Sequence, residues 1–239
     1  MGISEGLLVT MKRQTLAELV TVSRELGDPC REYVTLGEGN TSAAIDAHSF
    51  WIKASGVPLH GIRPEGFVVV RHRDLVKTPR GPRPSIEALF HSVLLQVPGV
   101  RFVGHTHPTS VNRLLCSRRS RALFQGRLFP DEVVYCGVAP VYVPYEDPGV
   151  PLARAIHRRV QAFSQRYRET PRLILLENHG IIALGQTAHD VLRITTMAVK
   201  AAEVLWGASL LGPPRYLTYA QAAHIARRRD ERYRRHLAR

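Results

Sequence analysis

Residues 172 to 185, RLILLENHGIIALG, place two apolar runs on either side of a short polar turn containing Asn178 and Gly180. A turn of that length and composition folds the chain back, so the two runs pair as an antiparallel hairpin. Elsewhere the pattern changes period. Residues 12–27, KRQTLAELVTVSRELG, carry apolar positions at helical spacing and stop at Gly27. SFWIKASG and GFVVVRH read as strands between Gly/Pro turns, and 85–97 reads as a helix with Ser85 as its N-cap. VRFVGHTHP follows as a strand, and EVVYCGVAPVYVPY as two more short ones. AIHRRVQAFSQRY and 188–206 are helices, the latter burying Met197 and Trp206, and TYAQAAHIA opens a last helix on a Thr218/Gln221 capping box. Helices and hairpins mix without strict alternation. The expected fold is α/β, three layers with helices on both faces of a mixed, mostly antiparallel sheet.

No internal repeat, low-complexity tract or Gly/Ser linker divides the 239 residues, so one domain over 1–239 is expected, with a basic helix or tail over about 218–239. The formal charge is +13, from 33 Lys and Arg against 20 Asp and Glu. Much of the excess sits in ARRRDERYRRHLAR (226–239) and SRRSR (117–121). Neither accompanies a nucleic-acid motif or an aromatic stacking platform, so no specific nucleic-acid partner is expected. No apolar run approaches a membrane span of ~18 residues, and the start, MGISEGLLVTMKRQ, lacks a secretion-signal pattern. A cytoplasmic protein without a membrane partner is expected. Cys30, Cys116 and Cys136 show no paired spacing and read as reduced, buried small hydrophobes.

GHTHPTS (104–110) raises the chemical question. On a strand, residues i and i+2 share a face, so His105 and His107 can aim at one point, as two ligands of a divalent metal must. By themselves they are a weak signal, since such a pair is more often two satisfied core histidines. His179, in the ENHG turn, is a third candidate, with Gly180 allowing a left-handed backbone there. Three histidines would leave zinc an open position, the arrangement of a catalytic site. Glu87, at the start of the 85–97 helix, is the candidate acid–base group. In isolation it is a carboxylate favoured by the helix dipole. His91, one turn on, could orient Glu87, and is read instead as packed. GEGNTS (37–42) and KASG (53–56) are Gly-, Ser- and Thr-rich loops able to cradle a phosphate or carboxylate, with Lys53 as a point charge. Neither fits a nucleotide-binding glycine motif. A cupin would need a glutamate shortly after the H-x-H pair, and HTHPTSVNRLL has none.

Taken in order, GEGNTS, KASG, PSIE, GHTHP and ENHG resemble the class II aldolase/adducin family, over roughly residues 14–206. The resemblance implies a zinc ion held by His105, His107 and His179, and Glu87 as a carboxylate that moves a proton. It also implies a substrate phosphate cradled by Gly39, Asn40, Ser55, Gly56 and Ser85, near Lys53. A homotetramer follows, with a tyrosine crossing between subunits, for which Tyr135 and Tyr145 lie in the right region. The expected activity is a zinc-dependent aldolase cleaving a phosphorylated ketose to dihydroxyacetone phosphate and an aldehyde. Epimerase, dehydratase or decarboxylase relatives share the site, and a non-catalytic adducin-like module is the remaining alternative. Two departures from the family pattern bear on the substrate. Ser85-Ile86 replaces a serine pair, and Lys53 stands where many relatives are neutral.

Overall fold

The computed structural model describes residues 5–75 and 83–230. Among them, seven strands form one sheet: β1 (Asn40–Ala44), β2 (Ser49–Lys53), β3 (Phe67–Arg71), β4 (Phe102–Thr106), β5 (Val141–Val143), β6 (Leu173–Leu176) and β7 (Gly180–Gly185). Their spatial order is β3-β2-β1-β4-β7-β6-β5. Every neighbouring pair is antiparallel except β5 with β6. The helices are α1 (Glu5–Leu26), α2 (Ala88–Leu95), α3 (Thr109–Leu115), α4 (Ser120–Leu123), α5 (Pro130–Cys136), α6 (Val150–Tyr167), α7 (Ala188–Leu211) and α8 (Tyr219–Arg227).

The sheet is covered on both faces because its central strands are apolar at successive positions. On β6 and β7, Leu173, Leu175, Ile181 and Ala183 pack with α1, α3 and α7 through Leu19, Leu26, Leu114, Val191 and Ala198. The intervening Ile174, Leu176, Ile182 and Leu184 pack with α2 and α6 through Phe90, Leu94, Leu152 and Ile156. This is the expected three-layer α/β/α arrangement. On β4 the alternation has a different content. Phe102 and Gly104 face α1 and α7, and a Cβ at Gly104 would meet Val191 Cγ1 at 2.4 Å and Leu26 Cδ1 at 3.2 Å. Glycine there lets both helices close on the sheet. Val103 and His105 face the other way, toward α2, where the His105 ring meets Phe90 edge-on at 5.5 Å.

Several local expectations change. Half of GEGNTS is strand β1, which hydrophobic periodicity does not reveal, because Asn40, Thr41 and Ser42 are buried polar residues satisfied by side-chain partners. EVVYC is not a strand but helix α5. Pro130 opens it, Asp131 and Glu132 occupy its first turn, and Gly137 ends it at φ 82°. The buried Arg127 guanidinium fixes its position, donating to Glu132 Oε1 at 2.9 Å and to the Gly137 and Cys136 carbonyls at 2.8 and 2.7 Å. Ser85 does not cap α2, which begins at Ala88; its Oγ accepts from Glu87 N at 3.3 Å instead. Cys136 is buried as expected, whereas Cys30 and Cys116 are exposed. Met197 packs against the core, but Trp206 is exposed at 41%, with the Arg113 guanidinium over its ring. The SRRSR run leads into α4, and the Thr218/Gln221 capping box is formed. Of the basic C-terminus, residues 231–239 lie outside the described residues.

α7 is 24 residues long and apolar enough by length and composition to cross a membrane. In this fold it lies on the sheet, burying Ala188, Val191, Ile194, Ala198, Ala202 and Leu205.

Arg127 and Glu132 are a buried ion pair whose remaining hydrogen-bonding capacity is used by backbone groups. Removing only the cation leaves an uncompensated buried carboxylate. Arg127→Ala is expected to cost about 3–5 kcal/mol in chemical denaturation. Changing both residues to apolar ones of similar volume should recover most of that loss.

Candidate metal and acid–base site

Three elements meet where β4 ends. β4 pairs with β1 on one side, Asn40 opposite His105, and with β7 on the other, His105 opposite Ile182. The β6–β7 turn therefore arrives beside the end of β4 and brings His179 with it. His107 lies one residue beyond β4, its N–H bonded to the Tyr33 carbonyl at 2.8 Å. The rings of His105, His107 and His179 have centroids 4.7, 4.9 and 5.0 Å apart. One nitrogen from each lies within 4.8 Å of the others.

Glycine makes this convergence possible, though not as the turn composition suggests. Asn178, at φ 53°, is the left-handed residue of the ENHG turn. Gly180 is needed for close approach, since a Cβ there would meet the Thr106 carbonyl at 2.5 Å and His107 Cδ2 at 2.7 Å. Gly39, at φ 67°, plays a similar part under β4, where a Cβ would lie 2.7 Å from the His105 carbonyl.

The ring nitrogens are oriented by partners behind them. His105 Nδ1 donates to the Ile181 carbonyl at 2.9 Å, which turns its Nε2 toward the cluster. His107 Nδ1 faces Glu38 Oε1 at 3.7 Å while its Nε2 lies 2.9 Å from His105 Nε2. The backbone of His179 is held by Asn112, whose Nδ2 donates to its carbonyl at 3.0 Å. Burial, followed by the nearby charges of His105 and His179, lowers the His107 pKa to about 3. Three imidazoles held this closely, with the outer nitrogen of His105 hydrogen-bonded and that of His107 facing a carboxylate, form a donor set that fits a divalent ion such as zinc.

Glu87 completes the cluster. Its Oε2 lies 3.3 Å from His105 Nε2 and its Oε1 3.3 Å from His179 Nε2. Burial works to raise its pKa, but the charge of His105, hydrogen bonds from His105 and His179, and the Asn40 amide drive it below the ordinary carboxylate range. His105 is raised in turn, because Glu87 reverses the lowering that burial alone would cause. Asn40 Nδ2 donates to Glu87 Oε2 at 2.6 Å and to Ser85 Oγ at 3.1 Å. A carboxylate in this position can face a metal ion or hold and deliver a proton.

The structure thus brings His105, His107, His179, Glu87, Asn40 and Ser85 into one contact network. Lys53 lies deeper than a charge reaching into an open pocket. It is 3% exposed, and its Nζ donates to the Val57 carbonyl at 2.5 Å and the Gly37 carbonyl at 3.3 Å, tying the two Gly-rich loops together. Burial lowers its pKa, partly offset by Glu87. Ser55 and Gly56 are exposed at the rim. Gly56 adopts φ 78° with open space where a Cβ would be, and Ser55 N bonds the Arg83 carbonyl at 2.8 Å. Tyr135 lines a cavity of about 390 Å³ with Gly99, Val100 and Gly185, at the start of β4 and the end of β7. That is the opposite end of these central strands from the histidines. Tyr145 is exposed, its N–H on Glu177 Oε2 at 3.0 Å and its hydroxyl on Asp147 at 3.1 Å.

Residues 17–206 match the model of the class II aldolase and adducin N-terminal domain. The chain belongs to the class II aldolase/adducin family. Among curated members, it is 26% identical over 194 residues to a methylthioribulose-1-phosphate dehydratase of Bacillus subtilis (strain 168), covering 77% of this chain and 88% of that one. It is 30% identical over 176 residues to an uncharacterised oxidoreductase, YuxG, of the same organism, covering 70% of this chain but only 22% of that protein's length. In fold it is similar to an L-fuculose 1-phosphate aldolase, with a TM-score of 0.74 and 19% identity over 92% of this chain and 96% of that one.

Four side chains of this site escaped the sequence reading in part or whole. Glu38 stands inside GEGNTS, but nothing in the motif pairs it with His107. Ser42 and Asn112 are polar residues whose partners are distant in sequence. His91, read as packed, is buried but fully hydrogen-bonded, to Ser42 Oγ and Asn40 Oδ1. Its helical i, i+4 spacing from Glu87 was the available signal.

Gly180→Ala should displace His107 through the Thr106 and His107 contacts. We expect divalent-metal affinity to fall about 10–100-fold, read by competition with a chromophoric chelator, with circular dichroism unchanged.

Proposed function

We propose that the chain is a divalent-metal-dependent lyase acting on a phosphorylated ketose, with Glu87 moving the proton at the carbon beside the ketone. The observation that carries this is the Glu87 carboxylate, buried and placed 3.3 Å from both His105 and His179 at the edge of a three-histidine cluster. His105, His107 and His179 hold the ion, zinc being the metal that best suits three imidazoles with an open position. Bound there, it supplies Lewis-acid polarisation of the substrate's carbonyl and adjacent hydroxyl.

The protein's own groups then divide the work. Ionised Glu87 takes the C3 proton, and the electron pair of that C–H bond moves into an enediolate across C2 and C3. In a dehydration the C4–O bond then breaks, hydroxide leaves with its electron pair, and the proton taken up by Glu87 completes water. In an aldol cleavage the C4 hydroxyl passes its proton to ionised Glu87, the C3–C4 bond breaks with its electron pair entering the C2–C3 enediolate, and Glu87 delivers that proton to C3 of dihydroxyacetone phosphate. Both outcomes share the C2–C3 enediolate. Carbon–carbon cleavage is the reading the motif order first suggests, and the dehydratase relative, matched over 88% of its length, supports elimination of water equally. Gly39, Asn40, Ser55, Gly56 and Ser85 are the proposed phosphate-side residues, and Lys53 supplies charge and holds both loops from beneath. A tetramer is part of this reading, supported by the exposure of Leu36 (90%) and Ile86 (73%) on segments that carry site residues. So is a cytoplasmic location, supported by three free thiols.

The test uses zinc-loaded protein in heavy water with two substrates. Dihydroxyacetone phosphate is followed by NMR for exchange at its hydroxymethyl carbon, and methylthioribulose 1-phosphate for loss of water. Activity on either should fall about 10²–10⁴-fold in Glu87→Gln. Exchange identifies the aldolase, and elimination the dehydratase. Neither, from protein shown to hold zinc, would sink the reading.

A further inference from the structure

The buried hydrogen bonds behind Glu87 run in one direction, and donor–acceptor chemistry fixes that direction. An ionised carboxylate only accepts, so the atom of the Asn40 carboxamide facing Glu87 Oε2 at 2.6 Å must be nitrogen. The carboxamide oxygen then faces His91 Nε2, which must carry a proton to meet it. A neutral imidazole with Nε2 protonated presents Nδ1 as an acceptor, so the Ser42 hydroxyl, 2.6 Å away, must donate. The order is Ser42 to His91 to Asn40 to Glu87. His91 is fully buried and stacked on Phe90 at 4.8 Å, so no water competes for its nitrogens.

We propose that His91 is a positioning residue that, with Ser42, locks the Asn40 carboxamide so that its nitrogen always faces Glu87. A free carboxamide could turn over and present its oxygen to Glu87; with His91 holding that oxygen, Glu87 Oε2 always meets an N–H donor. Turning the amide over would set two N–H donors against each other in a buried site, a cost typical of an unsatisfied polar group. This inference rests on the reading of Glu87 as the ionised acid–base group, and it concerns His91 and Ser42, which reach Glu87 only through Asn40.

The test separates the lock from the reaction. In ¹⁵N-labelled protein, the His91 ring should show a protonated Nε2 and a bare Nδ1, and the Asn40 side-chain amide protons should be protected from solvent exchange. His91→Phe keeps the aromatic volume against Phe90 and removes the donor; His91→Gln restores an N–H near the Nε2 position. Asn40 protection should vanish in His91→Phe and return in His91→Gln. A proton on Nδ1, or equal protection in His91→Phe, overturns the proposal whatever the activity. Should His91→Phe not fold, the wild-type ring shifts and Asn40 protection in Ser42→Ala decide in its place, loss of protection supporting the lock and full retention overturning it. On whichever substrate reacts, kcat should fall about 10–100-fold in His91→Phe with KM within about twofold, and recover most of the way in His91→Gln. A proportional fall in both variants would mark His91 as packing alone. If the wild type reacts with neither substrate, that result counts against the proposed function, while the ring and amide measurements still decide the lock.

Discussion

Glu87 is a charge taken out of water, and much of the architecture answers the cost of putting it there. A buried carboxylate is tolerated only when opposite charge and hydrogen-bond donors replace its solvent. Here they come from four separate elements: His105 from β4, His179 from the β6–β7 turn, Asn40 from β1, and the more distant charge of Lys53 from the end of β2. The central sheet is thus a frame that delivers compensating groups to one carboxylate. Its helices must in turn bury both faces so that those groups stay dry.

The parts of this design that were legible in the sequence obey a period. The β6–β7 hairpin, α1, α6 and α7 announce themselves by apolar spacing, and they compose the layered fold. The histidines and Glu87 were legible for a different reason, because few residue types perform their chemistry and they occur in ordered motifs. β1 was illegible for a physical cause. Asn40, Thr41 and Ser42 are buried through hydrogen bonds to Glu87, Ser23 and His91, so the strand carries no hydrophobic signature. α5 was misread because EVVYC has strand-like composition. What overrides it is a tertiary contact, the buried Arg127 guanidinium binding both the first-turn acid and the last carbonyls of the helix.

Two residues show how function moves polar groups into places where propensity would not put them. Lys53 ends a buried strand, yet its ammonium is satisfied by carbonyls of the Gly37 and Val57 segments. It ties two glycine-rich loops together from beneath. Arg127 does the same for α5 at the far side of the fold. In both cases a cation is spent on backbone carbonyls, which fixes loop and helix ends that apolar packing does not reach.

The register of β1 against β4 is where fold and chemistry become one constraint. Asn40 lies opposite His105 and Ser42 opposite Val103, which puts Asn40 and Ser42 on the α2 face, beside His91 and Glu87. Thr41 and Ala43 face the other way, Thr41 onto Ser23 of α1. A slip of one residue would exchange the two sets. Asn40 and Ser42 would meet an apolar layer without partners, while Thr41 and Ala43 would leave Glu87 and His91 unsatisfied. Each face therefore rejects the wrong register through buried polar groups, at a cost of about 1–3 kcal/mol for each one left unpaired. The same hydrogen bonds that hold the carboxylate in place also specify how the sheet is assembled, so the site does not need to be added to a finished fold.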